Sequence, residues 1–264
     1  MKTLVLANQK GGVGKSAVAV QFAYFVADVL KKRVLVIDFD HQRNSTKAIR
    51  TGNLATVSAI TSSQLLTAKV DPSQIEDAEF VLVPGDPGLI KMEKQAAEHN
   101  AFATNLYTFL AGIGERFDLC IIDTNPNPDI RQLASLVVSD FVLSPLQLNQ
   151  EAIDGIGDLL NHENIGIRKI QATINKKLQL IGILPNIVEP TPFQRDNFRD
   201  LSAAFAKLLI PVENGFAAIK KTTAIPEAQA AGVPVWKIDK TSARNAWAHI
   251  RPVFTKIATD MGVE

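Results

Sequence analysis

The chain has 264 residues, 46% of them hydrophobic and 21% charged, with a formal net charge of +1. This is an ordinary globular composition with enough apolar residues for a sizeable core, and its near-neutral balance excludes a global field drawing it to nucleic acid. A single cysteine, Cys120 in the run FDLCIID, argues against a disulfide framework and fits a reducing cytoplasm.

No basic-plus-apolar leader precedes the first run, TLVLAN at 3–8, which lacks polar alternation. That is how a parallel strand buried on both faces reads. After a glycine-rich stretch, SAVAVQFAYFVADVLKK at 16–32 reads as a helix, and Lys31, Lys32 and Arg33 suit its negative end. Further strands are expected at 33–40, 80–85, 117–124, 141–146, 178–188 and 208–212, with helices at 102–115, 128–138, 151–162 and 193–207. Strands alternating with helices predict an α/β fold, a doubly wound, mostly parallel sheet of about seven to eight strands with helices on both faces. No repeat, low-complexity tract or linker divides residues 1–264, so one domain is expected. Near the end, Trp247, Ile250, Phe254, Ile257 and Met261 recur at helical spacing, read here as core packing, with Pro252 expected to kink the helix. No apolar run approaches the roughly eighteen residues of a membrane-spanning helix.

Charge is distributed unevenly. Residues 71–129 carry eleven acidic and three basic residues, whereas residues 217–256 carry seven basic residues against Glu227 and Asp239. Such asymmetry hints at one basic region on a polar surface.

The stretch NQKGGVGKS at 8–16 carries the chemistry. Gly14, Lys15 and Ser16 fit the end of the phosphate-loop pattern G-x-x-x-x-G-K-[ST], but Gln9 stands where the first glycine belongs and a second lysine, Lys10, follows it. A glycine-rich loop between a buried strand and a helix offers backbone N–H groups and a positive helix end to an anion. Residues Gly11, Gly12, Val13, Gly14, Lys15, Ser16 and Ala17 are therefore expected to bind nucleotide. Lys15 is expected to reach the β- and γ-phosphates and Ser16 to ligate Mg²⁺. Asp123, ending the fourth strand, is the expected Walker-B-type acid, acting through the metal's hydration shell. Asp38 is placed in the metal's outer shell, and Asp40, just past the second strand, orients the attacking water.

KGGVGKS, DFDHQ and IIDTNP together resemble the deviant Walker-A ATPases of the ParA/MinD superfamily, within it most of all the plasmid partition ParA proteins of IncP plasmids. The similarity extends to the C-terminal GVPVWKIDKTSAR, and it implies a P-loop NTPase fold. It also implies that Lys10 reaches across a homodimer to the partner's ATP, that Asn186 contacts adenine, and that the ATP-bound dimer binds DNA without sequence preference. Lys220, Lys221, Lys240, Arg244 and Arg251 are the expected DNA-binding residues. A ParB-type centromere-binding partner is expected to stimulate a weak basal hydrolysis, and plasmid positioning on the nucleoid, in the cytoplasm and away from membrane, is the implied task. An N-terminal helix-turn-helix domain is not expected. Departures from the family's usual DxDPQGN and DTPP put hydrolysis rate and loop motion in question: His41 and Arg43 replace proline and glycine, and the second run is DTNPNPD. His41 itself is read as a solvated loop residue. Alternative readings are a membrane-associated MinD-like positioner or a metabolic enzyme on the same fold. An iron–sulfur enzyme that takes two cysteines from each subunit is disfavoured, because Cys120 stands alone.

Overall fold

The computed structural model describes residues 1–94 and 98–264. In chain order the strands are β1 (Lys2–Leu6), β2 (Val34–Asp38), β3 (Thr56–Val57), β4 (Phe80–Val83), β5 (Leu119–Asp123), β6 (Phe141–Leu146), β7 (Gln179–Pro185), β8 (Pro211–Val212) and β9 (Gly215–Phe216). The first seven form one sheet in the order β3-β4-β2-β5-β1-β6-β7, with every neighbouring pair parallel. Strands β2, β4, β5 and β6 are buried at every residue, which accounts for their unbroken apolar runs.

The helices are α1 (Lys15–Tyr24), α2 (Asn44–Gly52), α3 (Ser62–Thr67), α4 (His99–Ile113), α5 (Ile130–Val138), α6 (Gln150–Asp154), α7 (Ile156–Asn161), α8 (Ile167–Thr173), α9 (Pro192–Phe205), α10 (Ala224–Ala231) and α11 (Thr241–Met261). They cover both faces of the sheet. Val5, Leu35, Ile37 and Ile122 belong to one apolar layer, while Leu4, Leu6, Val36 and Ile121 belong to the other, the period-two alternation of strands. The second layer receives the C-terminal stripe: Ile250, Phe254, Ile257 and Met261 are buried, and Phe254 meets Phe22 edge-on at 5.3 Å between ring centroids. The stripe is therefore core packing, as the sequence indicates. Helix α11 continues through Pro252, which lies on its exposed side. Among the described residues, no helix is long and apolar enough to cross a membrane.

Two expected elements change, and one strand is new. Segment 208–212 does not join the sheet as a full strand: Leu209 makes one bridge to Ile183, and Pro211–Val212 pairs antiparallel with Gly215–Phe216. Pro211 has no N–H with which to extend a ladder. The seventh strand is instead the two-residue β3 at the opposite edge. The helix expected at 151–162 is divided at Gly155 into α6 and α7.

This strand order sets the carboxyl ends of β1, β5 and β2 side by side. Leu6 is in register with Asp123, and Asp123 with Asp38. Ligands of open α/β sheets bind at that edge.

Candidate functional site: a phosphate loop over buried carboxylates

Two left-handed glycines shape the loop after β1. Gly12 and Gly14 have φ of 74° and 86°, and a Cβ on Gly14 would lie 2.3 Å from Asn186 Nδ2. Neighbouring side chains tie the loop's carbonyls back. Asn186 Nδ2 donates to the Val13 carbonyl (2.8 Å), and Gln147 Nε2 donates to that of Gly12 (3.1 Å). Asn8 braces the entry, donating from Nδ2 to the Pro145 carbonyl (2.8 Å) and accepting the Lys10 N–H at Oδ1 (2.8 Å). With those carbonyls engaged, the N–H groups and the start of α1 remain for an anion. Residues 11–17 all line a cavity of about 580 Å³, with Asp40, Gln42, Lys47 and Pro126 among its other walls.

Lys15 is buried inside this arrangement, and its Nζ donates to the carbonyls of Asn8 (3.1 Å) and Lys10 (3.2 Å). Burial lowers its pKa, and the Asp123 and Asp40 carboxylates offset part of that shift.

Asp123 and Asp38 end adjacent strands and are wholly buried. Asp123 Oδ2 accepts from Ser45 Oγ at 2.7 Å, but its buried Oδ1 has no hydrogen-bond partner among the described residues. Leaving such an oxygen unbonded is costly, which points to a ligand or its hydration shell as the missing partner. Ser16 acts on the same carboxyl, offsetting part of the upward push that burial gives its pKa. A hydroxyl and a carboxylate oxygen beside a phosphate cradle are the hard donors Mg²⁺ takes, so the residues fit that ion. Asp38 is differently employed. Its Oδ2 accepts from the Thr46 N–H (2.8 Å) and Oγ1 (2.6 Å), and its Oδ1 from the Asp40 N–H (3.0 Å). These bonds make Asp38 the pin of the turn that carries Asp40, with little of its carboxylate left for a metal's outer shell.

Burial, with Asp123 alongside, pushes Asp38 up to about 7, and burial also raises Asp123 against the pull of Ser16, Ser45 and Lys15. A carboxyl whose folded pKa exceeds its unfolded value stabilises the fold in acid, and that stability is lost as pH rises through the folded value. The protein without nucleotide should therefore lose stability on the order of 2 kcal/mol between about pH 5.5 and pH 8 as the Asp38–Asp123 pair is deprotonated. Thermal unfolding at the two pH values checks this, and Asp38→Asn should shrink the difference.

The remaining predicted residues are partly gathered here. Asp40 lines the cavity, with Oδ1 accepting the Gln42 N–H at 2.9 Å. Asn186 lines a neighbouring apolar cavity of about 200 Å³ with Ile187, Ile219, Ile225 and Phe254. Its Nδ2 is spent on the loop, leaving Oδ1 for any base. Lys10 is exposed, does not line its own phosphate cavity, and sends Nζ to within 3.7 Å of Glu151. The basic cluster is substantially paired: Lys221 with Glu189 (2.9 Å), Lys240 with Glu227 (2.8 Å) and Arg244 with Asp239 (3.0 Å). Lys220 and Arg251 are exposed and make no ion pair among the described residues. His41 is not solvated as expected. Its side chain is only 24% exposed, and its Nδ1 lies 3.4 Å from Nη1 of the buried Arg131. Sequence reasoning passed over Asn8, Ser45, Gln147 and Arg131. Only Asn8, adjoining the loop, stood where a local signal existed.

A glycine-shaped phosphate loop at the carboxyl edge of a parallel sheet, over a strand-terminal aspartate, defines a P-loop nucleotide-binding protein. A family described as an AAA domain matches residues 1–180, and the chain belongs to the ParA/MinD family of partition-type ATPases. It is 33% identical to Protein IncC of Escherichia coli over 273 residues, an alignment covering 100% of this chain and 71% of IncC. Its fold is similar to that of Cyanothece McdA in an ATP complex, with a TM-score of 0.79 and 21% identity over 100% of this chain and 97% of that one. It is also similar to cobyrinic acid a,c-diamide synthase from Mycobacterium smegmatis bound to an ATP analogue and magnesium, with a TM-score of 0.71 and 25% identity over 97% of this chain and 93% of that one.

Proposed function

We propose that residues 1–264 act as one Mg²⁺-dependent ATPase unit that dimerises around ATP, binds DNA without sequence preference in that state, and drives plasmid partition on the nucleoid. Hydrolysis is weak alone and is stimulated by a ParB-type centromere-binding partner. The observation that carries the reading is the division of labour between two lysines in one loop: Lys15 is buried at the phosphate cavity, whereas Lys10 points away from it. A cation that cannot serve its own site is available to a second subunit's.

Lys15 neutralises phosphate charge, and Ser16 and the Asp123 carboxylate would hold Mg²⁺. The ion, when bound, supplies further charge neutralisation. Asp40, its Oδ1 fixed by Gln42, orients the attacking water with its other oxygen. Little covalent work is asked of the protein, because phosphoryl transfer is mostly positioning and electrostatics. The apolar cavity beside Asn186 takes the base.

DNA binding is assigned first to Lys220 and Arg251, the cluster's predicted cations that make no ion pair among the described residues. Phosphate contacts release counterions, so each one contributes about 0.9 to the slope of log affinity against log salt. Lys220→Ala with Arg251→Ala should remove about three to four from that slope if both protomers engage. The pair Lys240→Ala and Arg244→Ala should remove less, since these cations are partly neutralised already. DNA retention measured with ADP, ATP and a slowly hydrolysed analogue at two salt concentrations tests the whole reading. Retention that is equal in all three nucleotide states would defeat it.

A further inference from the structure

Two loops flank the phosphate cavity, residues 40–44 after β2 and residues 124–129 after β5. Asp40 and Gln42 reach the cavity from the first, and Pro126 from the second. Behind the cavity, a line of side chains joins them. Arg131, in the first turn of α5, is wholly buried. Its Nε donates to Asp129 Oδ1 (3.1 Å) and Oδ2 (3.2 Å), and its Nη2 donates to the same Oδ2. Asn125 Nδ2 donates to that oxygen too, at 2.8 Å. Arg131 Nη1 then meets His41 Nδ1 at 3.4 Å.

Arginine can only donate. As a hydrogen bond the contact requires a bare Nδ1, hence the ring's proton on Nε2, 3.0 Å from the Gln42 amide nitrogen, and Nδ1 also lies 3.6 Å from Asp40 Oδ1. Gln42 satisfies that proton when its amide turns its oxygen toward the ring. The ring thus touches Arg131 on one side and Gln42 on the other, and Gln42 is the residue whose N–H fixes Asp40 Oδ1. The loop is also held at its start by the Asp38 carboxylate and closed by the Arg43 N–H on the Asp40 carbonyl (2.9 Å). The chain contains no proline before Pro72, and Arg43 is held in a left-handed conformation at φ 58°. A buried guanidinium gripped by a carboxylate is a rigid anchor by comparison.

We propose that Arg131 and His41 form a clamp that positions Asp40 for hydrolysis, Asp129 fixing Arg131, Arg131 fixing His41, and His41 fixing loop 40–44 against loop 124–129. Both are positioning residues, since neither lines the phosphate cavity. The clamp deepens the ATPase reading of the site and, for its effect on turnover, rests on it.

The test uses the full chain with His41→Ala, His41→Asn and Arg131→Lys. Amide hydrogen exchange over 38–46 is read without nucleotide, ATP affinity with a fluorescent analogue, and hydrolysis in single turnover. In His41→Ala and Arg131→Lys, exchange over 38–46 should accelerate about tenfold. Hydrolysis in both should fall about tenfold or more, with affinity within about threefold of the parent. His41→Asn should recover most of both losses, because its Oδ1 can accept from Arg131 where Nδ1 did. Unchanged exchange in His41→Ala overturns the clamp, as does a His41→Asn variant no better than His41→Ala. If the parent itself fails to hydrolyse ATP, the enzymatic reading falls, while the exchange comparison still decides whether the clamp exists.

Discussion

Lys15→Ala should lower affinity for ATP–Mg²⁺ about a hundredfold or more while leaving the protein folded. Truncating a desolvated cation opposite a charged partner costs roughly 2–5 kcal/mol of binding, and each 1.4 kcal/mol is tenfold. The fold should tolerate the change because Lys15 is not a source of stability. Burial lowers its pKa, which means the folded state disfavours its charge. Its removal relieves that cost while losing the two bonds to the Asn8 and Lys10 carbonyls. These effects oppose one another, so the melting temperature without nucleotide should move by only a few degrees, on the order of 1 kcal/mol. What should vanish is the response to ligand. Nucleotide at a hundred times its dissociation constant stabilises a protein by about 2.7 kcal/mol. Thermal unfolding with and without saturating ATP–Mg²⁺ reads both quantities at once. A variant that keeps the full nucleotide-induced shift would place the binding site elsewhere.

The phosphate loop and the central strands were legible for physical reasons. Strands buried on both faces leave continuous apolar runs, and glycine at positive φ leaves a gap no other residue fills cheaply. Shorter or more polar elements leave no such mark. Strand β3 is two residues long, too short for any period. Helix α2 buries Ser45, Thr46, Ala48 and Ile49, a face too polar to read as an apolar stripe. The basic cluster was visible in composition but its neutralisation was not, because Glu189 lies 32 residues from Lys221 and Glu227 lies 13 from Lys240. His41 and Arg131 are 90 residues apart, so no local pattern reveals that one rests on the other. Arg43 shows the reverse case. The resembled pattern has glycine there, and the left-handed φ of 58° explains why glycine suits the position, though arginine occupies it here.

Lys10→Ala should keep ATP binding within about threefold and abolish ATP-dependent dimerisation. Its backbone is committed within its own subunit: the N–H goes to Asn8 Oδ1 and the carbonyl accepts from Lys15 Nζ. Alanine preserves both bonds, so the loop should stay intact. The side chain is not so committed. It is about half exposed, and its ion pair with Glu151 is 3.7 Å long and opposite a side chain that is 85% exposed. Such surface pairs contribute little, so Lys10 can leave Glu151 for a partner's phosphate at small cost. A two-fold dimer makes each contact twice. Two charge-assisted contacts at roughly 1.5–3 kcal/mol apiece would shift the dimer constant by about 10²–10⁴. Glu151→Gln should act in the opposite direction, strengthening the dimer slightly by freeing the lysine. Sedimentation with a slowly hydrolysed ATP analogue and Mg²⁺ measures all three proteins. Loss of the dimer in Lys10→Ala should also remove DNA retention, since two weak basic patches hold a polymer far better joined than apart. If the variant dimerises within about tenfold of the parent, the lysine is not shared between subunits, and ATP cannot govern DNA binding by that route.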